Sequence, residues 1–175
     1  MLISAKDLFY GLMEFDSLRL YPKTCLACLS AHGKIYGIYE NPEPKPPLHP
    51  LCRCVIKKME ALRAGTATEN KLDGADFWLK YMGYLPEYYL TESQAKKLGW
   101  YPKTGNFATV CPNKMLTRGI YKNHERHLPE AYGRIWYEAD LNYKFGFRNV
   151  QRILWSNDGL IFVTYDHYKT FHEIV

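Results

Sequence analysis

The sequence predicts an α+β fold: N-terminal helices packed on a twisted antiparallel β-sheet, with a small Cys-rich segment ahead of them. Two observations predict it. Between residues 73 and 112 the apolar residues and capping signals follow a helical spacing, whereas from residue 134 onward they alternate with a period of two. A third observation sets the front apart: four of the five cysteines lie between Cys25 and Cys54.

Taken in order, "MLISAKDLFYGLMEFDSLRLYP" is interrupted by Lys6, Asp7, Glu14 and Asp16, which denies it the apolar core of a signal peptide. No stretch reaches the roughly 18 consecutive apolar residues of a membrane span. The chain is therefore expected to start in the cytoplasm, with no membrane partner and as a monomer. "YENPEPKPPLHPLCRC" is proline-rich and reads as an extended connection, because proline fixes φ and removes a donor. "CVIKKMEALRAG" reads as a short helix ending near Gly65, and the small polar "GTATENK" is the boundary candidate. The expected organisation is a Cys-rich segment over 1–60, a linker over 61–71 and a domain over 72–175.

In that domain, Phe77, Trp78, Tyr81 and Met82 have helical spacing, with Asp73 as N-cap and Gly83 as stop. Thr91 precedes a helix-forming run, and Gln94 follows three residues later, which is the pattern of a capping box. Gly99 ends that run. "NFATVC" is one further helical turn, stopped by Pro112. "RIWYEADL" then sets Ile135, Tyr137, Ala139 and Leu141 against Trp136, Glu138 and Asp140, a strand with two distinct faces. "VQRILWSNDGLIFVTY" is a hairpin around Asp158-Gly159, and "YKTFHEIV" is the last strand.

Composition narrows the function. Apolar residues make up 47% of the chain and charged residues 23%, which excludes global disorder. Fifteen tyrosines and four tryptophans suit half-wet surfaces and the stacking of bases. A net charge of +5 permits nucleic-acid binding without demanding it, so attraction for phosphate has to be local.

The residues that could carry chemistry are Glu138, Arg148, Arg152 and His167. Strand alternation places Glu138 on the Trp136 and Asp140 face, where Arg152 on the neighbouring strand is expected to meet it across the ladder. A carboxylate, an imidazole and two guanidiniums suit phosphoryl transfer without a metal. The carboxylate takes a proton from the nucleophile, the imidazolium gives one to the leaving oxygen, and the arginines hold the phosphate. By spacing alone, a structural cross-strand ion pair and a solvated loop histidine account for the same residues.

The segments "LPEYYLTESQAKKLGW", "KTGNFATVCPNK", "GRIWYEADLNY", "GFRNVQRIL" and "TYDHYKTF" together resemble the barnase-like, guanyl-preferring microbial ribonucleases, without a gap across residues 72–175. The resemblance implies the microbial ribonuclease fold and cleavage of single-stranded RNA 3′ of guanosine through a 2′,3′-cyclic phosphate. It implies no cofactor for catalysis. It makes Glu138 the general base, His167 the general acid, and Arg148 and Arg152 the phosphate ligands. It assigns guanine recognition to Asn123, His124 and Glu125, with Tyr121 and Lys122 beside them, and a substrate contact to Tyr168. An acidic immunity partner of the barstar type is implied as well, with a toxin's action in the cytoplasm of a target cell after delivery.

Two positions depart from the family pattern. Glu92 stands where the family usually has a phosphate-binding lysine; pointing inward, it would repel a dianionic phosphorane by several kcal/mol in order of magnitude. Lys96 or Lys122 could take the lysine's place. His124 replaces the usual arginine of the guanine loop.

In the front segment, Cys25-x2-Cys28 and Cys52-x-Cys54, with His49 as an alternative ligand, have metal-ligand spacing. A structural zinc, two disulfides and four reduced thiols all fit this spacing; the missing secretion signal disfavours the disulfides. "CLAC" and "HPLCRC", with the prolines before them, resemble the end of a phage Mu F-like minor head domain. That implies a delivery or packaging remnant, virion-associated or secreted as part of a larger protein, fused to a nuclease.

Overall fold

The computed structural model describes residues 9–15, 27, 35–36, 43, 45–52 and 54–175. Two compact units emerge: one joins the chain up to Ala61 with Asn123–Tyr132, the other joins Leu62–Lys122 with Gly133–Val175. In the first, strands β1 (Phe9–Phe15), β2 (Ile35–Tyr36) and β3 (Cys54–Glu60) form an antiparallel sheet in the order β2-β1-β3. Residues 54–60 were expected in a helix. They instead pair with β1 from Phe9↔Glu60 to Phe15↔Cys54. So short a helix has little stability of its own, and the ladder satisfies the same backbone groups.

The second unit has the expected α+β architecture. Its sheet has six strands in chain order: β4 (Tyr89–Thr91), β5 (Met115–Tyr121), β6 (Trp136–Asp140), β7 (Arg152–Ser156), β8 (Ile161–Thr164) and β9 (His172–Glu173). All neighbours are antiparallel except β4 and β5, which run parallel, so the sheet is mixed. Three helices precede β6: α1 (Ala75–Tyr81), α2 (Glu92–Lys97) and α3 (Phe107–Val110). Among the described residues no helix is long and apolar enough to cross a membrane.

The alternation read from the sequence decides which face is core. Ala139, Ile153, Ile161 and Val163 pack with Ala75 and Leu79 of α1 and with Leu141 and Ile174. A second cluster gathers Ala95, Trp100, Phe107, Cys111, Leu116 and Tyr143. The opposite face of β6 carries Trp136, Glu138 and Asp140, and here lies the candidate site.

Of residues 61–71, which the composition marks as a linker, all but Ala61 are woven into this unit. Leu62 N–H donates to Glu173 O at 2.8 Å, and Val175 N–H donates back to Leu62 O at 2.9 Å. Asp73 was expected to cap α1; it closes the 3-10 turn Lys71–Asp73, and Gly74 is the N-cap. Asp76 does the connecting instead. Its buried carboxylate accepts from Gly65 N–H at 2.7 Å, Ala67 N–H at 2.9 Å and the Thr68 hydroxyl at 2.9 Å. A seven-residue helix is marginal alone, so its position depends on this bonding and on the burial of Ala75 and Leu79.

The Thr91 expectation holds in full. Gln94 N–H donates to Thr91 Oγ1, and Thr91 N–H donates to Gln94 Oε1, so both halves of the capping box form. Thr91 is also the last residue of β4, which the sequence reading left unassigned.

Replacing Asp76 with Ala leaves two backbone donors without their acceptor in the interior. The expected cost is roughly 3–5 kcal/mol. Asp73→Ala, at an exposed side chain, is expected to change stability by no more than about 0.5 kcal/mol. Urea unfolding midpoints of the two variants check this, and equal midpoints would refute the role given to Asp76.

Candidate active site

Glu138 sits at the centre of β6, buried, between Gly119 of β5 and Leu154 of β7. The register of β5 on β6 shifts between Thr117 and Gly119. Gly119 takes φ +75, which favours glycine, and Thr117 Oγ1 donates to the Glu138 carbonyl at 3.0 Å. A glycine opposite Glu138 sets no side chain of β5 over the carboxylate. Tyr168 approaches instead, its hydroxyl donating to Glu138 Oε2 at 2.6 Å. Burial, and then this bond to a carboxylate, push the Tyr168 phenol well up; the nearby Arg152 and Arg148 oppose the shift without cancelling it. Tyr121 stacks on Tyr168 with ring centroids 5.4 Å apart.

Arg152 does not meet Glu138 across the ladder as expected. Register sets Leu154 opposite Glu138 and Arg152 opposite Asp140. Arg152 Nη1 lies 3.3 Å from Asp140 Oδ1. Arg148 grips the same carboxylate, with Nε 3.0 and 2.9 Å from its two oxygens and Nη2 also bonded to Oδ1. Asp140 is 1% exposed and Arg152 4%. Arg148 loses by burial, yet its bonds to Asp140, reinforced by the field of Glu138, hold its pKa above the ordinary value. Arg152 Nη1 is fixed further by Gln151 O at 2.6 Å and Asn149 Oδ1 at 3.2 Å, while its buried Nε has no hydrogen-bond partner among the described residues. Asp140 is thus the functional residue that the sequence reading missed. Its signal was present: it lies two residues after Glu138, on the same face.

His167 is exposed and precedes Tyr168, with ring centroids 5.0 Å apart. Both residues take left-handed backbone, at φ 61 and 66. Each such non-glycine conformation costs on the order of 1–3 kcal/mol and persists only where its surroundings impose it. Here Asp166 imposes it. Its carboxylate accepts from the Thr164 hydroxyl at 3.0 Å, Thr170 N–H at 2.9 Å, the Thr170 hydroxyl at 2.7 Å and Lys169 N–H at 3.2 Å. Partial burial raises the Asp166 carboxyl, but these bonds, led by those from Thr170, outweigh it and leave it below the ordinary value.

Glu92 opens α2 and does not stand alone. Arg118 Nε lies 2.8 Å from Glu92 Oε1, and Lys96 Nζ 3.3 Å from Oε2. Burial raises the Glu92 carboxyl, and the bonds from Lys96 and Arg118 more than reverse this. Its negative charge is thereby offset by two cations; Lys96, expected in the place of the phosphate-binding lysine, is here paired with Glu92. Lys122 is exposed at the end of β5.

The segment that begins at Asn123 forms its own closed turn. Asn123 Nδ2 donates to Leu128 O at 2.9 Å, and Leu128 N–H donates to Asn123 Oδ1 at 3.1 Å. Asn123 is buried with φ 43, while His124 and Glu125 are exposed. Of the metal-ligand candidates, Cys25 and Cys28 lie outside the described residues. Cys54 is buried against Cys52 and Leu48, and the His49 ring meets Pro50 O at 2.6 Å. Among the described residues no group of three or more His, Cys, Asp and Glu is placed to hold a metal.

A buried carboxylate, two guanidiniums locked on a second carboxylate and an exposed imidazole on a strained turn are groups that suit acid–base chemistry at a phosphate. Comparison with known proteins agrees with that class. Residues 80–175 match the family model described as ribonuclease, so the chain belongs to the ribonuclease family. It is 48% identical over 109 residues to a ribonuclease of Heyndrickxia coagulans, a match covering 62% of this chain and 99% of that protein. The ribonucleases of Bacillus intermedius and Bacillus pumilus are also 48% identical over 109 residues, covering 62% of this chain and 67% of each relative.

Asp140→Asn removes the charge that compensates a buried arginine and is expected to cost about 3–5 kcal/mol, measured by denaturant unfolding. Glu69→Gln, which breaks the exposed pair with Lys144, is expected to cost at most about 1 kcal/mol.

The depressed Asp166 carboxyl stabilises the fold when ionised, so its contribution is present above the unfolded carboxylate pKa near ~3.9 and is lost as pH falls through the lower folded value. The gap in unfolding free energy between the natural chain and Asp166→Asn is therefore expected at pH 6 and should narrow below about pH 4. A gap that stays constant with pH would contradict this assignment.

Proposed function

We propose that the protein is a metal-independent endoribonuclease that cleaves single-stranded RNA 3′ of guanosine and acts as a toxin. The observation that carries the reading is the arrangement around β6: a buried carboxylate under Tyr168, two arginines fixed on Asp140, and His167 against the Tyr168 ring. Glu138 takes the proton of the ribose 2′-hydroxyl. The 2′-oxygen then bonds to phosphorus while the bond to the 5′-oxygen breaks, and His167 gives that oxygen its proton. The products are a 2′,3′-cyclic phosphate and a free 5′-hydroxyl. Arg148 and Arg152 hold the phosphate and offset the charge that grows in the transition state. Their side chains need little reorganisation, because Asp140 already fixes them. The nucleophile belongs to the substrate, so DNA, which lacks the 2′-hydroxyl, is excluded.

Guanine preference falls to Asn123, His124 and Glu125, with Tyr121 and Lys122 beside them. This assignment rests on the family resemblance and on the fixed turn that Asn123 closes. Because a ribonuclease in a producing cell is lethal, the reading includes an acidic immunity protein, for which the chain's net charge of +5 is complementary. The Cys-rich front is then part of the delivery module, with zinc as its structural ion.

Replacing Glu138 with Gln, and separately His167 with Gln, is expected to lower kcat/KM on an oligonucleotide with one guanosine by roughly 10²–10⁴-fold each. Chromatography of the natural chain's products should give the cyclic phosphate 3′ of guanosine, undiminished by EDTA. Expression of the natural chain in a bacterium should arrest growth, and Glu138→Gln should relieve the arrest. Full turnover by both variants would refute the mechanism; cleavage at every base would refute the guanine preference.

A further inference from the structure

The loop between β6 and β7 is fixed along its length. Leu141 N–H donates to Gln151 O at 3.2 Å, Asn142 Nδ2 to Gln151 Oε1 at 2.8 Å, and Asn149 Nδ2 to Leu141 O at 2.7 Å. Within it, the Tyr143 hydroxyl donates to Gly146 O at 2.8 Å, and Lys144 pairs with Glu69 at 2.9 Å. The turn carrying Tyr101 and Lys103 packs against it so closely that a Cβ on Gly105 would lie 3.2 Å from Gly146 C and from Phe147 N.

The loop turns Leu141 and Tyr143 into the core and leaves its two phenylalanines outside. Phe145 is 81% exposed and Phe147 67%. Tyr101, on the neighbouring turn, is exposed as well. Exposed aromatic rings on a rigid support are what a binding surface presents, since their order is already paid for before the ligand arrives. Phe147 directly precedes Arg148, whose guanidinium is locked on Asp140. Phe147 is thus joined through the backbone to the arginine that the ribonuclease reading gives to the phosphate, with Phe145 two residues before it. Lys103, exposed on the packed turn, adds a positive charge. Flat apolar faces beside cations match alternating bases and phosphates better than they match a folded apolar partner.

We propose that Phe145 and Phe147 form a stacking subsite for a base of single-stranded RNA that flanks the phosphate held by Arg148. The proposal rests on the ribonuclease reading for the identity of the ligand. Stacking of this kind tolerates any base, so the subsite lengthens the footprint on RNA without adding sequence preference.

The test uses the full chain carrying Glu138→Gln, so that RNA is bound but not cut. The dissociation constant of a fluorescent single-stranded RNA hexanucleotide with one guanosine is measured by anisotropy. Phe145→Ala and Phe147→Ala are each expected to weaken binding by roughly 5- to 50-fold, whereas Phe145→Trp and Phe147→Trp retain it. Because both side chains are exposed, unfolding midpoints should not move. Unchanged affinity in both alanine variants, which would leave the rings to a protein partner, overturns the proposal. Tryptophan variants as weak as the alanine ones also overturn it. The ribonuclease reading is scored apart, on the chain that retains Glu138. Ring-dependent binding without cleavage would sink that reading and leave the subsite, while cleavage with ring-independent binding would do the reverse.

Discussion

The site depends on one buried carboxylate. Asp140 has almost no solvent contact and holds two guanidiniums, which leaves the triad with one net positive charge in the interior. Burying Asp140 and Arg152 and half-burying Arg148 is unfavourable unless each charge is matched closely, and the bidentate grip of Arg148 supplies much of that match. The triad spans two strands and the loop between them. It therefore locks β6, β7 and the loop into one register, and it aims two cations at the face where Glu138 lies.

The opposite partner, His167, is placed by a different means. It lies on a turn that the backbone alone would avoid, held by the four hydrogen bonds to Asp166. The imidazole is left exposed, while the next residue, Tyr168, reaches down to Glu138. Glu138 is fixed in the sheet and His167 is carried on the turn, with Tyr168, next to His167, bonded to Glu138. Near the N-terminus of α2, Glu92 shows how a reversed charge is tolerated: Arg118 and Lys96 surround it.

Several elements were legible because their signals are local. The capping box at Thr91 and Gln94, the turn at Asp158-Gly159 and the two-faced alternation of Trp136–Asp140 each involve residues within a few positions of one another. The misreadings share the opposite property. Residues 54–60 became a strand because β1, some forty residues earlier, offered a ladder. The polar stretch after Gly65 looked like a linker because its anchors, Asp76 and the C-terminal strand, lie elsewhere in the chain. β4 is three residues long and pairs in parallel with a strand that begins more than twenty residues later, so no local period could announce it.

The sequence by itself determined the α+β class, the family and the side chains available for chemistry: Glu138, His167, Arg148 and Arg152 are all legible as residue types in a specific series. Only the tertiary structure decided who meets whom. A two-residue difference in cross-strand register gives Arg152 to Asp140 rather than to Glu138, and Glu138 receives Tyr168 from a turn thirty residues away. Pairing across a sheet is set by hairpin geometry and by which face the core claims, and neither quantity is a property of any single strand.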